Sequence, residues 1–130
     1  MGLLKNLFKN TSESHSEPKI NWTNLSSLDQ LDIIVEASYN KTIAIFKYST
    51  RCGVSRVILR RLEKDYDVSE NEPDWYFLDL IQYRDVSNEI SRRFNVHHES
   101  PQLLLLRKGE VIYHNSHSGI DMDAVKNTAV

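Results

Sequence analysis

The stretch Thr42-Ile43-Ala44-Ile45-Phe46-Lys47-Tyr48-Ser49-Thr50-Arg51-Cys52-Gly53-Val54-Ser55 carries two different periodicities, one on each side of a polar junction. From Thr42 to Tyr48 the residues are largely β-branched or aromatic, and Ile43 to Phe46 form an unbroken apolar run, as suits a strand covered on both faces. Past Ser49, Thr50 and Arg51 the apolar residues Val54, Val57, Ile58 and Leu62 recur at the spacing of an amphipathic helix. A buried strand that feeds a helix through a short polar turn is half of a parallel α/β unit. Cys52, the single cysteine of the chain, sits at that junction.

Working outward, Ile20 and Trp22 alternate with polar neighbours, as a short edge strand would. Ser27 with Gln30 has capping-box form, and Leu28, Leu31, Ile34 and Val35 share one helical face, expected to be core. Downstream, the polar stretch from Asp67 to Asp74 leads into Trp75-Tyr76-Phe77-Leu78-Asp79-Leu80, a second strand of high β propensity. A helix follows, with Asp85 as its expected N-cap, Val86, Ile90 and Phe94 at every fourth position, and Glu89 with Arg93 as an i,i+4 pair. After a loop from His97 to Ser100, Pro101 precedes Gln102 to Leu106, and Lys108-Gly109 separates that run from Val111, Ile112 and Tyr113 as a β-hairpin. Ile120, Met122 and Val125 close the chain in a helix starting near Ser118 or Asp121. The order β-α-β-α-β-α-β-β-α predicts a thioredoxin-like three-layer α/β fold, with a central mixed sheet and helices on both faces.

At 130 residues the chain is long enough for one core. The domain is expected over residues 20–130. Residues 1–19 read as a short amphipathic segment, Met1 to Phe8, followed by a polar linker. Two helical turns bury too little to anchor on a membrane alone, and Asn6 stands where a myristoylation pattern wants Ser or Thr. A net charge of −2 gives no field that favours nucleic acid. The N-terminus has no apolar run long enough for a signal peptide or a membrane span, and one cysteine forms no internal disulfide, so a reducing cytoplasm is expected; the protein is also expected to be a monomer.

The chemistry is expected where a strand ends at a helix N-terminus, because free amides and the helix dipole stabilise an anion there. Cys52 occupies such a place, and Lys47, Arg51 and Arg56 add nearby positive charge in sequence. A lone cysteine is more commonly a small buried hydrophobe, but a junction lined by Ser, Thr, Arg and Gly is not an apolar hole. Cys52-Gly53-Val54-Ser55 is Cys-X-X-Ser, so catalysis takes a monothiol route in which a second thiol from solution resolves the mixed disulfide. Ser55 is expected to donate to the thiolate or to serve as an ordinary first-turn residue. The histidine pairs His97–His98 and His114–His117 lack accompanying ligands at metal spacing, so no metal is expected; His98 or His117 is a candidate for the lining of the thiol site.

The chain resembles the monothiol bacilliredoxins, thioredoxin-fold proteins of the bacillithiol system. The resemblance runs from about Ile20 to the C-terminus, on Ile20-Asn21-Trp22, Ser27-Leu28-Asp29-Gln30-Leu31, Phe46 to Cys52, Ser55, Phe94-Asn95-Val96, Glu99-Ser100-Pro101-Gln102 and Lys108-Gly109. It implies that Cys52 is the catalytic nucleophile, attacking the mixed disulfide between a client protein and bacillithiol. Bacillithiol is then a co-substrate that regenerates Cys52, and no cofactor is bound. Thr50, Arg51, Gly53, Ser55, Ser100 and Pro101 are the implied thiolate-stabilising or substrate-binding residues, with Ser100-Pro101 cis beside the sulfur. One departure is Gly53, where members of that family often carry Pro. Cys52-Gly53-Val54-Ser55 is thereby also similar to the Cys-Gly-Phe-Ser motif of monothiol glutaredoxins, which bridge iron–sulfur clusters. Glu99-Ser100-Pro101 and Asn115 to Gly119, however, stand where that family has Thr-Val-Pro and a Gly-Gly pair. A catalytically silent thioredoxin-like scaffold is the third reading, separated from both by the reactivity of Cys52.

Overall fold

The computed structural model describes residues 19–67 and 72–128. The amphipathic segment Met1 to Phe8 and the linker up to residue 18 lie outside the described residues. In chain order the elements are β1 (Trp22–Asn24), α1 (Leu28–Ala37), β2 (Ile43–Tyr48), α2 (Gly53–Asp65), β3 (Asp74–Asp79), α3 (Arg84–Phe94), β4 (Gln102–Arg107), β5 (Glu110–Ser116), a 3-10 turn (His117–Gly119) and α4 (Met122–Thr128). The strands form one sheet in the order β1-β3-β2-β4-β5. β1, β3 and β2 run parallel, while β4 and β5 add antiparallel to the β2 edge. This is the predicted mixed sheet.

Every residue of β2 is buried, which explains its unbroken apolar run: strands flank both edges and helices cover both faces. On one face Ala44 and Phe46 pack with Ile58, Leu59 and Leu62 of α2 and with Met122 and Val125 of α4. On the other, Ile43 and Ile45 pack with Leu31 and Ile34 of α1 and with Val86 and Ile90 of α3. Trp22, Trp75 and Phe77 stack edge-to-face on the α2 side, with ring centroids 5.5 and 5.6 Å from Trp22.

Helical periodicity misassigned several apolar positions. Leu28 is 42% exposed and Val35 is only half-buried, and Leu25, just before α1, fills the core instead. Val54 and Val57 face outward at 47% and 60% exposure, while Ser55 and Leu59 point in. Val54 and Val57, one turn apart, lie together beyond one edge of the buried stripe that Ser55, Ile58, Leu59 and Leu62 define. The N-cap of α3 is Tyr83 rather than Asp85, whose carboxylate accepts from the adjacent Val86 N–H inside the first turn. Ser27 does cap α1, accepting from Gln30 N–H, but the Gln30 side chain reaches back to Ser26 N–H and Asn24 C=O. In the hairpin turn Lys108 and Gly109 both have positive φ, and their amides bond to Ser38 at the end of α1.

The N-terminal edge is fastened by one carboxylate. Glu63 of α2 accepts from Lys19 N–H at 2.6 Å, Ile20 N–H at 3.2 Å and Trp22 Nε1–H at 2.7 Å. Burial raises the Glu63 carboxyl above its ordinary value, and these three donors oppose the rise. Glu63→Ala leaves three donors without their acceptor, so a loss of about 2 kcal/mol is expected in urea denaturation.

Candidate active site

Cys52 is the N-cap of α2 and is partly exposed. The turn that puts it there is built on Ser49 at the end of β2. Ser49 C=O accepts from Cys52 N–H at 3.2 Å, and Ser49 Oγ accepts from Arg51 N–H at 3.2 Å. Ser49 N–H in turn donates to the fully buried Ser55 Oγ at 3.2 Å. The chain therefore leaves the strand, turns once and enters the helix with its direction held by backbone hydrogen bonds.

The Cys52 thiol is lowered from its ordinary pKa, first by the Ser55 amide, against the opposing effect of burial, and then by the Val54 amide and the Ser55 hydroxyl. The donors are those of the first helical turn. None of the basic neighbours is among the causes of the lowering: Arg51 and Arg56 are exposed to solvent, and Lys47 is buried with its amine on His98, on the α1/α3 side of the sheet. The Ser55 hydroxyl accepts from Ser49 N–H, which leaves its single proton free to point at sulfur. Gly53 has no positive φ, and a Cβ built on it meets nothing within 4 Å. Its amide is not among the thiol's donors, so the Pro often found after the cysteine in related chains fits this N1 position equally well.

Ser100-Pro101 is a cis peptide, as the resemblance implied. β2 and β4 pair with Lys47 opposite Gln102, so Pro101 lies opposite the end of β2, on the same sheet edge as the Cys52 turn. Pro101 C=O accepts from His117 N–H at 3.0 Å, and His117 faces Glu99 at 3.6 Å. Arg61 of α2 donates to Ser118 C=O and Ile120 C=O, tying the cysteine-bearing helix to the turn that holds Pro101. Thr50, Arg51 and Gly53 are exposed around Cys52, whereas Ser100 is half-buried. Val54 and Val57 add an outward apolar surface on the cysteine's helix. Among the described residues no group of three His, Cys, Asp or Glu could hold a metal ion, and no helix is long and apolar enough to cross a membrane.

Residues 23–125, which include both Cys52 and the Ser100-Pro101 corner, match the model of the monothiol bacilliredoxin BrxC. The chain belongs to the monothiol bacilliredoxin family. Of the two family likenesses in the sequence, it is the bacilliredoxin one that this match bears out. Among solved structures, this bacilliredoxin is similar to one provisionally assigned as an oxidoreductase with a thioredoxin fold, at 27% identity and TM-score 0.67, covering 84% of this chain and 94% of that one. Thioredoxin from Malassezia sympodialis matches at 18% identity and TM-score 0.69 over 92% of this chain and all of its own. A thioredoxin variant from Halobacterium salinarum matches at 18% identity and TM-score 0.59, covering 88% and 91%. The fold is thus a thioredoxin fold, and family and fold together support a redox function.

One site residue escaped the sequence reading in its actual role. Its place in sequence points to a charge near Cys52, yet the Lys47 amine lies 2.8 Å from Nδ1 of His98, 51 positions away. The available signal was a lysine inside an otherwise apolar strand.

Two measurements follow from these electrostatics. The rate of Cys52 alkylation against pH should show a midpoint below the ~8.5 of an ordinary thiol, and Ser55→Ala should move it upward. Burial lowers Lys47 from 10.5 to about 8. Between those values the unfolded chain holds a proton that the folded chain has released, so stability should rise with pH across that window. Comparison of urea midpoints for the parent and Lys47→Met should show this rise only in the parent.

Proposed function

We propose that this bacilliredoxin removes bacillithiol from protein mixed disulfides by a monothiol mechanism at Cys52. The observation that carries the reading is a partly exposed cysteine at a helix N-cap, with its thiol lowered by first-turn donors, in a chain with no second cysteine. The Cys52 thiolate attacks the bacillithiol sulfur of the client–S–S–bacillithiol bond. That bond breaks, the client leaves as a thiolate that takes a proton from water, and Cys52 keeps bacillithiol as a disulfide. A second bacillithiol thiolate attacks the bacillithiol sulfur of that disulfide. Cys52 leaves as thiolate, and the oxidised product is the bacillithiol disulfide. No electrons are needed beyond those of the two thiols.

Ser55 occupies the place of the resolving cysteine in a Cys-X-X-Cys site and has no sulfur to offer, which is why the second thiol must come from solution. The exposed Thr50, Arg51 and Gly53, with Val54 and Val57, give a client a surface to rest on. The Ser100-Pro101 corner offers its backbone to the incoming disulfide.

The test uses a model peptide carrying bacillithiol and the same peptide carrying glutathione. Reduced protein should release peptide thiol from the first much faster than from the second, leaving one bacillithiol adduct on Cys52 by mass spectrometry. Free bacillithiol should clear the adduct. Release by Cys52→Ala at the parent's rate would show the mechanism to be wrong.

A further inference from the structure

Lys47 is the one charged side chain of β2 and is fully buried. None of the ion pairs among the described residues includes it. Its amine meets His98 Nδ1 at 2.8 Å, and Ser87 Oγ of α3 stands 3.5 Å from the same nitrogen. An ammonium has only protons to give, so Nδ1 accepts and the His98 ring is neutral, with its proton on Nε2. An apolar residue in this place would avoid burying a charge, so a fold built for stability alone would not choose lysine.

Its position suggests what it is retained for. Lys47 lies in the strand that leads to Cys52 and pairs in register with Gln102, the residue after Pro101. The loop between α3 and β4 is held at Val96, which is buried, and at His97 C=O, which accepts from Gln102 Nε2 at 2.9 Å. Beyond it, Pro101 C=O is held by His117 N–H. His98 is exposed as a residue, while its Nδ1 faces the buried Lys47 amine and Ser87 Oγ.

We propose that Lys47 and His98 are a positioning pair for thiol–disulfide exchange: the amine, carried by the rigid β2, holds the His97–Ser100 loop down through His98 Nδ1 and so sets the Ser100-Pro101 corner relative to Cys52. The inference rests on the exchange reaction proposed above. Neither residue touches the reacting sulfurs. Their effect is on where the disulfide is presented, and a small misplacement of that kind costs up to about a hundredfold in rate.

Acid should undo the pair. A proton on His98 Nδ1 removes the acceptor and sets a second cation beside Lys47, with Arg84 of α3 and His97 adding like charge and Glu99 opposing it. Burial first, and then the Lys47 and Arg84 charges, hold His98 below its ordinary 6.5. The pair is therefore intact at neutral pH and opens only as pH falls below the ordinary histidine range. Neutralisation of Lys47 near its pKa of about 8 leaves an N–H that still donates.

The experiment compares two rates in the full chain: alkylation of Cys52 by iodoacetamide, which reads the thiolate alone, and release of thiol from the bacillithiol-modified peptide. Lys47→Met should raise the urea midpoint, leave alkylation unchanged and slow exchange by roughly ten- to a hundredfold. His98→Leu should slow exchange likewise without any core substitution. His98→Asn, whose amide oxygen can accept in place of Nδ1, should recover most of the rate. It should also lose the parent's fall in exchange relative to alkylation as pH drops below the ordinary 6.5 of histidine. The proposal is overturned if Lys47→Met and His98→Leu exchange at the parent's rate, or if alkylation falls in step with exchange. A parent that releases no thiol from the peptide overturns the exchange reading itself, a result distinct from an active parent matched by its variants.

Discussion

β2 is the constraint on which the rest depends. With β3 on one edge, β4 on the other and helices over both faces, its six residues have no freedom to shift without opening two hydrophobic clusters at once. A register slip by one residue would send Phe46 to the α1/α3 side and Lys47 into the aromatic cluster around Trp22. What is attached to its C-terminal end inherits that rigidity. Tyr48, stacked 5.1 Å from Phe77, ends the strand, and the Ser49 turn that follows delivers Cys52 to the start of α2.

The second half of the site reaches the same edge by a different route, through α3 and the loop that ends in Pro101. Three contacts bring the halves into one geometry: the Lys47–Gln102 register, the Lys47–His98 hydrogen bond, and the path from Arg61 through the 3-10 turn to Pro101 C=O. All three start from residues of β2 or α2. Glu63, one turn beyond Leu59 on the same helix, fastens the N-terminal edge as well. The helix that bears the cysteine thus also holds the segment Lys19 to Trp22 and the 3-10 turn before α4.

Local pattern reached most of what neighbouring residues determine, though it put the cap of α3 at Asp85 instead of Tyr83. Ile43 to Phe46, the Ser27 cap and the Lys108-Gly109 turn were legible because strand burial, capping and positive φ are properties of a few adjacent residues. Cys52 at the strand-to-helix junction was legible for the same reason. The outward turn of Leu28, Val54 and Val57 was not, because periodicity identifies an apolar stripe and leaves its edges undecided. Nor were the contacts of Lys47 with His98 and of Glu63 with Trp22, which span 51 and 41 residues and exist only after the sheet has assembled. The cause of the lowered thiol was half legible. The helix terminus was foreseen, while the cationic contribution from Lys47 is ruled out by its burial on the opposite side of the sheet.

On the mechanism we propose, one thiol serves two half-reactions with the same sulfur, as attacking group first and as leaving group second. Stabilising the thiolate raises its population and makes it a better leaving group, but it also lowers intrinsic nucleophilicity, with a Brønsted slope of about 0.4–0.5. A buried cationic partner would push far toward the second role at the expense of the first. First-turn amides and one hydroxyl make a milder environment, and they lie beside a sulfur still open to solvent. Keeping Lys47 on the other side of the sheet preserves that balance. Of the three basic residues within five positions of the cysteine, Lys47, Arg51 and Arg56, the fold turns the buried one toward His98 of the proline loop rather than toward the thiolate.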